Sequence, residues 1–137
     1  KAAYAHCDIP CGIYTVEPAR TATKTVVRMV ELIQQLEPPN FANFNAETAK
    51  GKANSLVRYI AVKEEHAQKC KQELLILWTD YFKPEHLQIF PTLHETFWKA
   101  AKLCSKNKQE VNMKAAQELL GAVEEIAGMF SKAALKK

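Results

Sequence analysis

The sequence predicts an all-α protein, an antiparallel up-down four-helix bundle preceded by an irregular amino-terminal arm. Four segments place apolar residues at steps of three and four, which puts them on one face of a helix. The connections between these segments are short, as they are between neighbouring helices of a bundle. No segment alternates apolar and polar residues as a strand does, and the sequence has no internal repeat or low-complexity tract.

The first two helices are separated by a pair of prolines. The first is predicted to begin near Glu17, since Pro18 is tolerated in a first turn, and to end at Pro38-Pro39. The second is predicted to begin near Asn45 or a few residues later and to end before Pro84. Their apolar faces comprise Ala22, Val26, Met29, Val30, Ile33 and Leu36, and then Leu56, Ile60, Ala67, Cys70, Leu74, Leu77, Trp78 and Tyr81.

The third and fourth helices follow in the same way. Thr92 and Glu95 form a capping-box pattern, which predicts that the third helix begins near Thr92. The polar segment 105–108 is predicted to be a loop, and Asn107 with Glu110 is a second cap pattern, before the fourth helix. The apolar faces comprise Leu93, Phe97, Ala101 and Cys104, and then Val111, Ala115, Leu119, Ala122, Ile126, Met129 and Phe130.

Composition limits the classes of partner. A chain of 137 residues is long enough for one domain with one core. The net charge of +4 is weak and the charges are mixed in sign, so we expect no nucleic-acid partner. No apolar run reaches the roughly 20 residues of a membrane span, so we expect no membrane partner. Cys70 and Cys104 lie on apolar faces, which predicts small buried residues and a reducing, cytoplasmic location.

The segment HCDIPCGIY, residues 6–14, is the part of the sequence that indicates chemistry. His6, Cys7 and Cys11 lie within six residues, and a Pro-Cys-Gly turn would bring the two sulfurs to one small cation. Thiolates suit nickel, copper(I), zinc or iron–sulfur clusters. A structural zinc site needs four ligands and would have to recruit a distant side chain. Without metal, the two cysteines could instead close a local disulfide.

This segment resembles the nickel hook of the nickel-containing superoxide dismutases. The family pattern is His-Cys-Asp-x-Pro-Cys-Gly-x-Tyr, and every specified position is matched. LWTDYFKPEH, residues 77–86, and FPTLHETFWKAAKLCSK, residues 90–106, resemble the second and third helices of the family and the turn between them. The resemblance implies dismutation of superoxide to oxygen and hydrogen peroxide by Ni(II)/Ni(III) cycling, one nickel ion per subunit and a homohexamer. The matched positions are His6, Cys7, Asp8, Pro10, Cys11, Gly12 and Tyr14.

The resemblance also implies a role for each residue of the hook. His6 would ligate nickel through its amine and its imidazole, Cys7 through its thiolate and backbone nitrogen, and Cys11 through its thiolate. Asp8 would fix the hook by hydrogen bonds. Tyr14 would stand over the open face and limit access to small anions; alternatively, it anchors the arm to the bundle. Tyr81 and Lys83 would help to line the approach.

Five residues precede the hook histidine. Ala3-Tyr4-Ala5 has the small-x-small form of a peptidase cleavage site, and family members lose a leader so that the histidine becomes the first residue. We therefore expect three parts: a leader remnant at 1–5, the nickel hook at 6–14 and a single four-helix domain at 15–137. A leader-removing protease is the expected partner, and the chain is expected to be inactive until residues 1–5 are removed.

The sequence departs from the family at the residues that support the axial imidazole. Family members use a glutamate and an arginine, but Ala22 and His66 occupy those positions here. Second-shell partners commonly orient a metal-bound imidazole, so another group, such as Glu17, would have to take the role. The remaining histidines, His86 and His94, are predicted to be surface or capping residues.

Two other functions fit the same cysteines. One is a metal-binding or metal-delivery bundle that binds copper(I) or zinc as well as nickel and does not react with superoxide. The other is a thiol switch in which Cys7 and Cys11 cycle between dithiol and disulfide. Neither requires Asp8, Pro10, Gly12 and Tyr14 together, and for this reason the sequence favours the dismutase.

Overall fold

The computed structural model describes residues 12–38 and 42–135 and confirms the all-α prediction. Each α-helix packs against the next in the chain, and the last packs against the first, so the four close into a bundle around one core. A π turn and a short 3₁₀ helix connect the second and third helices. The elements are α1 Glu17–Gln35, α2 Ala46–Ile76, the π turn Leu77–Tyr81, the 3₁₀ helix Pro84–Gln88, α3 Leu93–Gln109 and α4 Met113–Ala134.

The beginnings of α1 and α2 agree with the sequence patterns. α1 begins at Glu17 with Pro18 in its first turn. The side chain of Asn45 caps α2, since its Oδ1 accepts hydrogen bonds from the backbone N–H groups of Glu47 (3.0 Å) and Thr48 (3.1 Å). α1 ends at Gln35, before Pro38, while Pro39 lies outside the described residues.

α3 begins at Leu93, as predicted, but the predicted capping box at Thr92 and the predicted end of the helix were wrong. Thr92 precedes the helix, but its side chain makes no capping hydrogen bond. α3 continues to Gln109, through the segment predicted to be a loop, and Asn107 is a fully buried helical residue. Its Nδ2 donates to the carbonyl oxygens of Leu103 (2.9 Å) and Ala115 (3.0 Å). The residue that caps α4 is Asn112, whose Oδ1 accepts from the backbone N–H of Ala115 (3.0 Å).

A buried lysine holds the turn between α3 and α4. Lys63, in the middle of α2, is only 1% exposed. Its Nζ donates to the carbonyl oxygens of Lys108 (3.0 Å) and Glu110 (3.0 Å), and also to that of Asn107. Carbonyls at a helix end lack partners within the helix, so one ammonium group here satisfies acceptors from the end of α3 and from the turn. Burial lowers the pKa of Lys63.

The core is apolar and includes two free thiols. Cys70 on α2 and Cys104 on α3 are both fully buried, which confirms that they are small core residues. Within the described ranges, no helix combines the length and apolar character that a membrane span requires. The main core cluster comprises Val16, Ala19, Ala22, Cys70, Leu74, Leu77, Phe82, Phe90, Leu93, Phe97, Ala100, Cys104, Leu119, Val123, Ile126, Ala127, Met129 and Ala133.

Candidate functional site

An open cavity of about 720 Å³ lies where α1 begins and where α2 and α4 end. Four rings line it, those of Tyr14, Tyr81, His86 and Phe130, and we call it the aromatic cavity. Elements distant in sequence meet here, because Tyr14 precedes α1, Tyr81 ends the π turn and Phe130 belongs to the last turns of α4. The other lining residues are Gly12, Asp80, Lys83, Glu85, Gln88, Ile89, Ala133 and Ala134.

Tyr81 is at the centre of this group of rings. Its ring centroid lies 4.4 Å from that of Phe130 and 5.5 Å from that of Tyr14. The His86 ring stacks on it almost in parallel, at 6.3 Å and 17°. Such spacings are those of favourable aromatic pairs. Burial raises the pKa of Tyr81 above its usual value, so the phenol keeps its proton at neutral pH.

A π turn sets the position of Tyr81. The backbone N–H of Phe82 donates to the carbonyl oxygen of Leu77 (3.0 Å), five residues earlier, in place of the usual four. Single π turns at the end of an α-helix are frequent at functional sites. Phe82 itself is buried and meets Tyr81 edge to face at 5.1 Å, which packs the tyrosine from the core side.

His86 has two roles, and the sequence predicted only the first of them. The backbone N–H of Lys83 donates to its Nδ1 (3.0 Å), so it is a capping residue as predicted. Because Nδ1 accepts this bond, the neutral ring carries its proton on Nε2. No sequence pattern indicated that the ring also lines the aromatic cavity. His94 is exposed, as predicted, and its Nδ1 accepts from Nε1 of Trp78 (2.8 Å).

The charged residues around the aromatic cavity are of both signs. Lys83 contributes one positive charge, and Asp80 and Glu85 contribute two negative charges. Asp80 also accepts a hydrogen bond from the hydroxyl of Thr79 (3.1 Å). Local focusing of an anion requires an excess of one sign, and these described lining residues do not provide it. The structure therefore places Tyr14, Tyr81 and Lys83 together at one cavity, and the described residues that line it do not concentrate positive charge.

Gly12 connects this cavity to the cysteine motif in the sequence. Its φ is +98°, a conformation that glycine adopts without strain, and it directly follows Cys11. His6, Cys7, Asp8 and Cys11 lie outside the described residues, so the predicted ligand set remains a prediction. Among residues 12–38 and 42–135, no three His, Cys, Asp or Glu side chains converge as a metal site would require.

Comparison with known proteins identifies the family. The model of the nickel-containing superoxide dismutase family matches residues 1–134. The chain belongs to this family. A "Superoxide dismutase [Ni]" from Streptomyces seoulensis is 30% identical over 126 residues, which are 92% of this chain and 86% of that protein. A protein of the same name from Streptomyces coelicolor is 29% identical over the same shares.

Solved structures of nickel superoxide dismutase have the same fold. The native structure at 1.30 Å superposes with a TM-score of 0.78 at 27% identity, covering 94% of this chain and 99% of that one. A structure with nickel ligation of the oxidised state gives a TM-score of 0.77 at 29% identity, covering 94% and 98%. Near-complete coverage of both chains confirms the family resemblance and the four-helix fold that it implied.

The two positions at which the sequence predicts a departure from the family, Ala22 and His66, lie in well-defined surroundings. Ala22 is 3% exposed within the core, and its methyl group makes no hydrogen bond. His66 is half-buried on α2, and its Nδ1 donates to the carbonyl oxygen of Val62 (2.9 Å). Glu17 forms an ion pair with Arg20, which also binds both carboxylate oxygens of Glu124 (2.8 and 3.0 Å). The proposed supporting role of Glu17 therefore has to coexist with this ion pair.

Proposed function

We propose that this chain is a nickel superoxide dismutase that converts superoxide to oxygen and hydrogen peroxide. The observation that carries the proposal is the family match over residues 1–134, which includes the complete HCDIPCGIY motif. The four-helix fold shared with solved nickel superoxide dismutases supports it, because that fold extends over almost the whole of both chains. Superoxide is accordingly the substrate, and nickel is the cofactor, at one ion per subunit.

The donors of the hook fit nickel. His6, Cys7 and Cys11 would hold the ion, since thiolate and nitrogen donors suit nickel. Bound nickel would supply the redox chemistry by oxidising one superoxide as Ni(III) and reducing a second as Ni(II).

The residues of the aromatic cavity would control access to the hook. Gly12 lies in the wall of the cavity and directly follows Cys11, so the described part of the chain adjoins the ligand segment here. Tyr14, packed against Tyr81, would limit entry to small anions, and Asp8 would hold the hook by hydrogen bonds. Because Asp80 and Glu85 outnumber Lys83 at the cavity, we propose that size selection contributes more than local charge.

Activation would require removal of residues 1–5 by a protease. While Ala5 is attached, the backbone nitrogen of His6 is an amide, which is a much poorer donor than an amine. The chain would thus divide into a leader remnant at 1–5, the hook at 6–14 and the bundle at 15–137.

We further propose a homohexamer in the cytoplasm. Several large apolar side chains are exposed on the single chain and would suit such an interface: Ile13, Phe44, Val57, Trp98 and Leu135.

Two forms of the protein test the proposal. The trimmed form begins at His6, and the intact form retains residues 1–5; both are loaded with nickel under reducing conditions. Superoxide removal, bound nickel per chain and the native mass are then measured. We expect about one nickel per chain, full activity and a hexameric mass in the trimmed form. The intact form should bind little nickel and show little activity.

A matched variant separates ligation from folding. Cys11→Ser in the trimmed form should abolish activity and reduce nickel binding, with an unchanged far-ultraviolet circular dichroism spectrum. Equal nickel content and equal activity in the intact and trimmed forms would refute the leader proposal. Tight nickel binding without activity would indicate the metal carrier instead. No nickel in either form, together with reversible Cys7–Cys11 oxidation, would indicate the thiol switch.

A further inference from the structure

His86 is held in place by contacts on several sides. Its Nδ1 accepts a hydrogen bond from the backbone N–H of Lys83 (3.0 Å). Its ring lies nearly parallel to that of Tyr81, at 6.3 Å and 17°, and meets that of Phe82 edge to face, at 5.6 Å and 84°. Its backbone carbonyl oxygen accepts from the N–H of Phe90 (2.9 Å). The segment that follows the π turn therefore fixes both the backbone and the ring of His86.

These contacts decide which edge of the imidazole can meet a ligand. Because Nδ1 accepts the bond from the backbone of Lys83, the neutral ring carries its proton on Nε2, at its outer edge. Neither this bond nor the two ring contacts engage Nε2. His86 is half-buried and lines the aromatic cavity, so this outer edge is the one left for the cavity. The fold thus supplies a neutral hydrogen-bond donor there.

A donor of this kind suits a small anion. Lys83 is offset by Asp80 and Glu85, so the described residues that line the cavity do not attract an anion through an excess of positive charge. A hydrogen bond to a charged acceptor is roughly twice as strong as a bond between neutral groups, even when the donor is neutral. A donor fixed in advance also needs no reorganisation when the anion arrives. Such a group favours superoxide over dioxygen, which is uncharged and a weak acceptor.

We propose that His86 is a binding residue for superoxide, and that its Nε2–H group donates a hydrogen bond to one oxygen of the anion in the aromatic cavity. No covalent bond forms or breaks, and the proton stays on Nε2. The inference rests on the proposed function for the identity of the anion. The site itself rests on the bond to Lys83, the ring contacts and the cavity. Tyr81 and Lys83 act as positioning residues, because they hold the ring.

The first experiment needs neither nickel nor turnover. The full-length chain is labelled with ¹⁵N in its histidine rings, and azide, a stable and small univalent anion, is added at constant ionic strength. We expect the proton of His86 on Nε2 and a saturable shift of that resonance. His94 is the matched control in the same spectrum. Its Nδ1 also accepts a hydrogen bond, from Nε1 of Trp78 (2.8 Å), but His94 does not line the aromatic cavity.

Two variants separate the bond to Lys83 from the donor. His86→Asn keeps an acceptor in the place of Nδ1 and has no donor in the place of Nε2, whereas His86→Gln does the converse. Both remove the ring, so the difference between them reports these two groups. In the nickel-loaded, trimmed protein, kcat/KM for superoxide should fall about tenfold in His86→Asn and about twofold in His86→Gln. The urea midpoint should fall further in His86→Gln, because the bond to Lys83 is lost there.

The outcomes distinguish this inference from the proposed function. A saturable azide shift at His86 without superoxide turnover would support the anion site and refute the dismutase. Turnover without a shift at His86 beyond that at His94 would refute the anion site. The azide result comes from the unmodified chain, so it decides the inference even if a variant fails to fold. Equal kcat/KM in the two variants, or a lower value in His86→Gln, would refute the donor role and leave His86 a structural residue.

Discussion

The two ends of the α3–α4 hairpin are held by different interactions. At the α3–α4 turn, two buried side chains bind backbone carbonyl oxygens: the ammonium group of Lys63 binds three, and the amide nitrogen of Asn107 binds two. At the other end, rings surround an open cavity, and the ring of Tyr81 packs against those of Tyr14 and Phe130. One end is closed by hydrogen bonds, and the other is left accessible.

This difference separates stability from chemistry within one small domain. A buried ammonium with three acceptors is costly to disturb, because removing it leaves several buried carbonyls without partners. Ring contacts around a cavity are individually weaker and tolerate entry of a small molecule. We therefore expect substitutions at the α3–α4 turn to reduce stability and leave activity per folded chain unchanged, whereas substitutions at the aromatic cavity should affect activity at a smaller cost in stability.

The largest loss of stability is expected from Lys63→Met. The substitution keeps an apolar stem but leaves the acceptors of Asn107, Lys108 and Glu110 unpaired, which should lower the free energy of unfolding by about 3 kcal/mol. Urea denaturation monitored by circular dichroism measures this loss. The matched control is Lys71→Met, on the same helix, where Nζ makes one bond to Ser105 Oγ (3.2 Å). Equal losses of unfolding free energy in the two variants would show that the three carbonyl bonds of Lys63 do not stabilise the fold more than the single bond of Lys71 does.

An intermediate effect is expected at the aromatic cavity. Phe130→Leu removes the ring 4.4 Å from Tyr81, which should lower the free energy of unfolding by about 1 kcal/mol. Superoxide turnover of the nickel-loaded, trimmed protein should also fall, because Tyr81 loses a packing partner beside Tyr14. Phe44→Leu, at a ring that is 61% exposed and distant from the aromatic cavity, should change neither quantity. Unchanged turnover in Phe130→Leu would contradict the assignment of the cavity as the approach to the site.

The smallest effect is expected from the surface ion pair between α1 and α4. Arg20 hydrogen-bonds to Glu124 and holds the pKa of that carboxyl below its usual 4.5. A lowered carboxyl pKa stabilises the fold above about pH 4.5, and this contribution is lost as the pH falls through the lowered value. Glu124→Gln should therefore shift the urea midpoint slightly at pH 7 and not at all at about pH 2. Glu118→Gln, whose lysine partner is 4.0 Å away, should have less effect at both pH values.

Apolar periodicity predicted the bundle well, because the burial of one helix face dominates the energetics of such a fold. The starts of α1 and α2 were correct since Pro18 and Asn45 act locally, within their own first turns. The predicted end of α3 was wrong because the position of that end depends on a residue distant in sequence. The polar run at 105–108 resembles a loop, but the helix continues because Lys63, more than forty residues earlier, supplies the bonds that its last carbonyls need.

The candidate site likewise contains one part that the sequence could predict, because its residues are adjacent, and one part that it could not, because the fold brings its residues together. The hook motif was recognisable because its residues are adjacent in sequence, and a family match supports it. The aromatic cavity combines Tyr14, Tyr81, His86 and Phe130, which come from three separate parts of the chain, so no local pattern indicated it as a unit.

The π turn at Leu77–Tyr81 fixes the direction in which the last residues of α2 point. An α-helix advances by about 100° per residue, so a turn that takes up one extra residue changes the orientation of every side chain after it by roughly that angle. Shortening this segment by one residue would give a more regular helix and point Tyr81 away from Tyr14. The wall of the cavity thus depends on chain length at this point as strictly as on the identity of the residues.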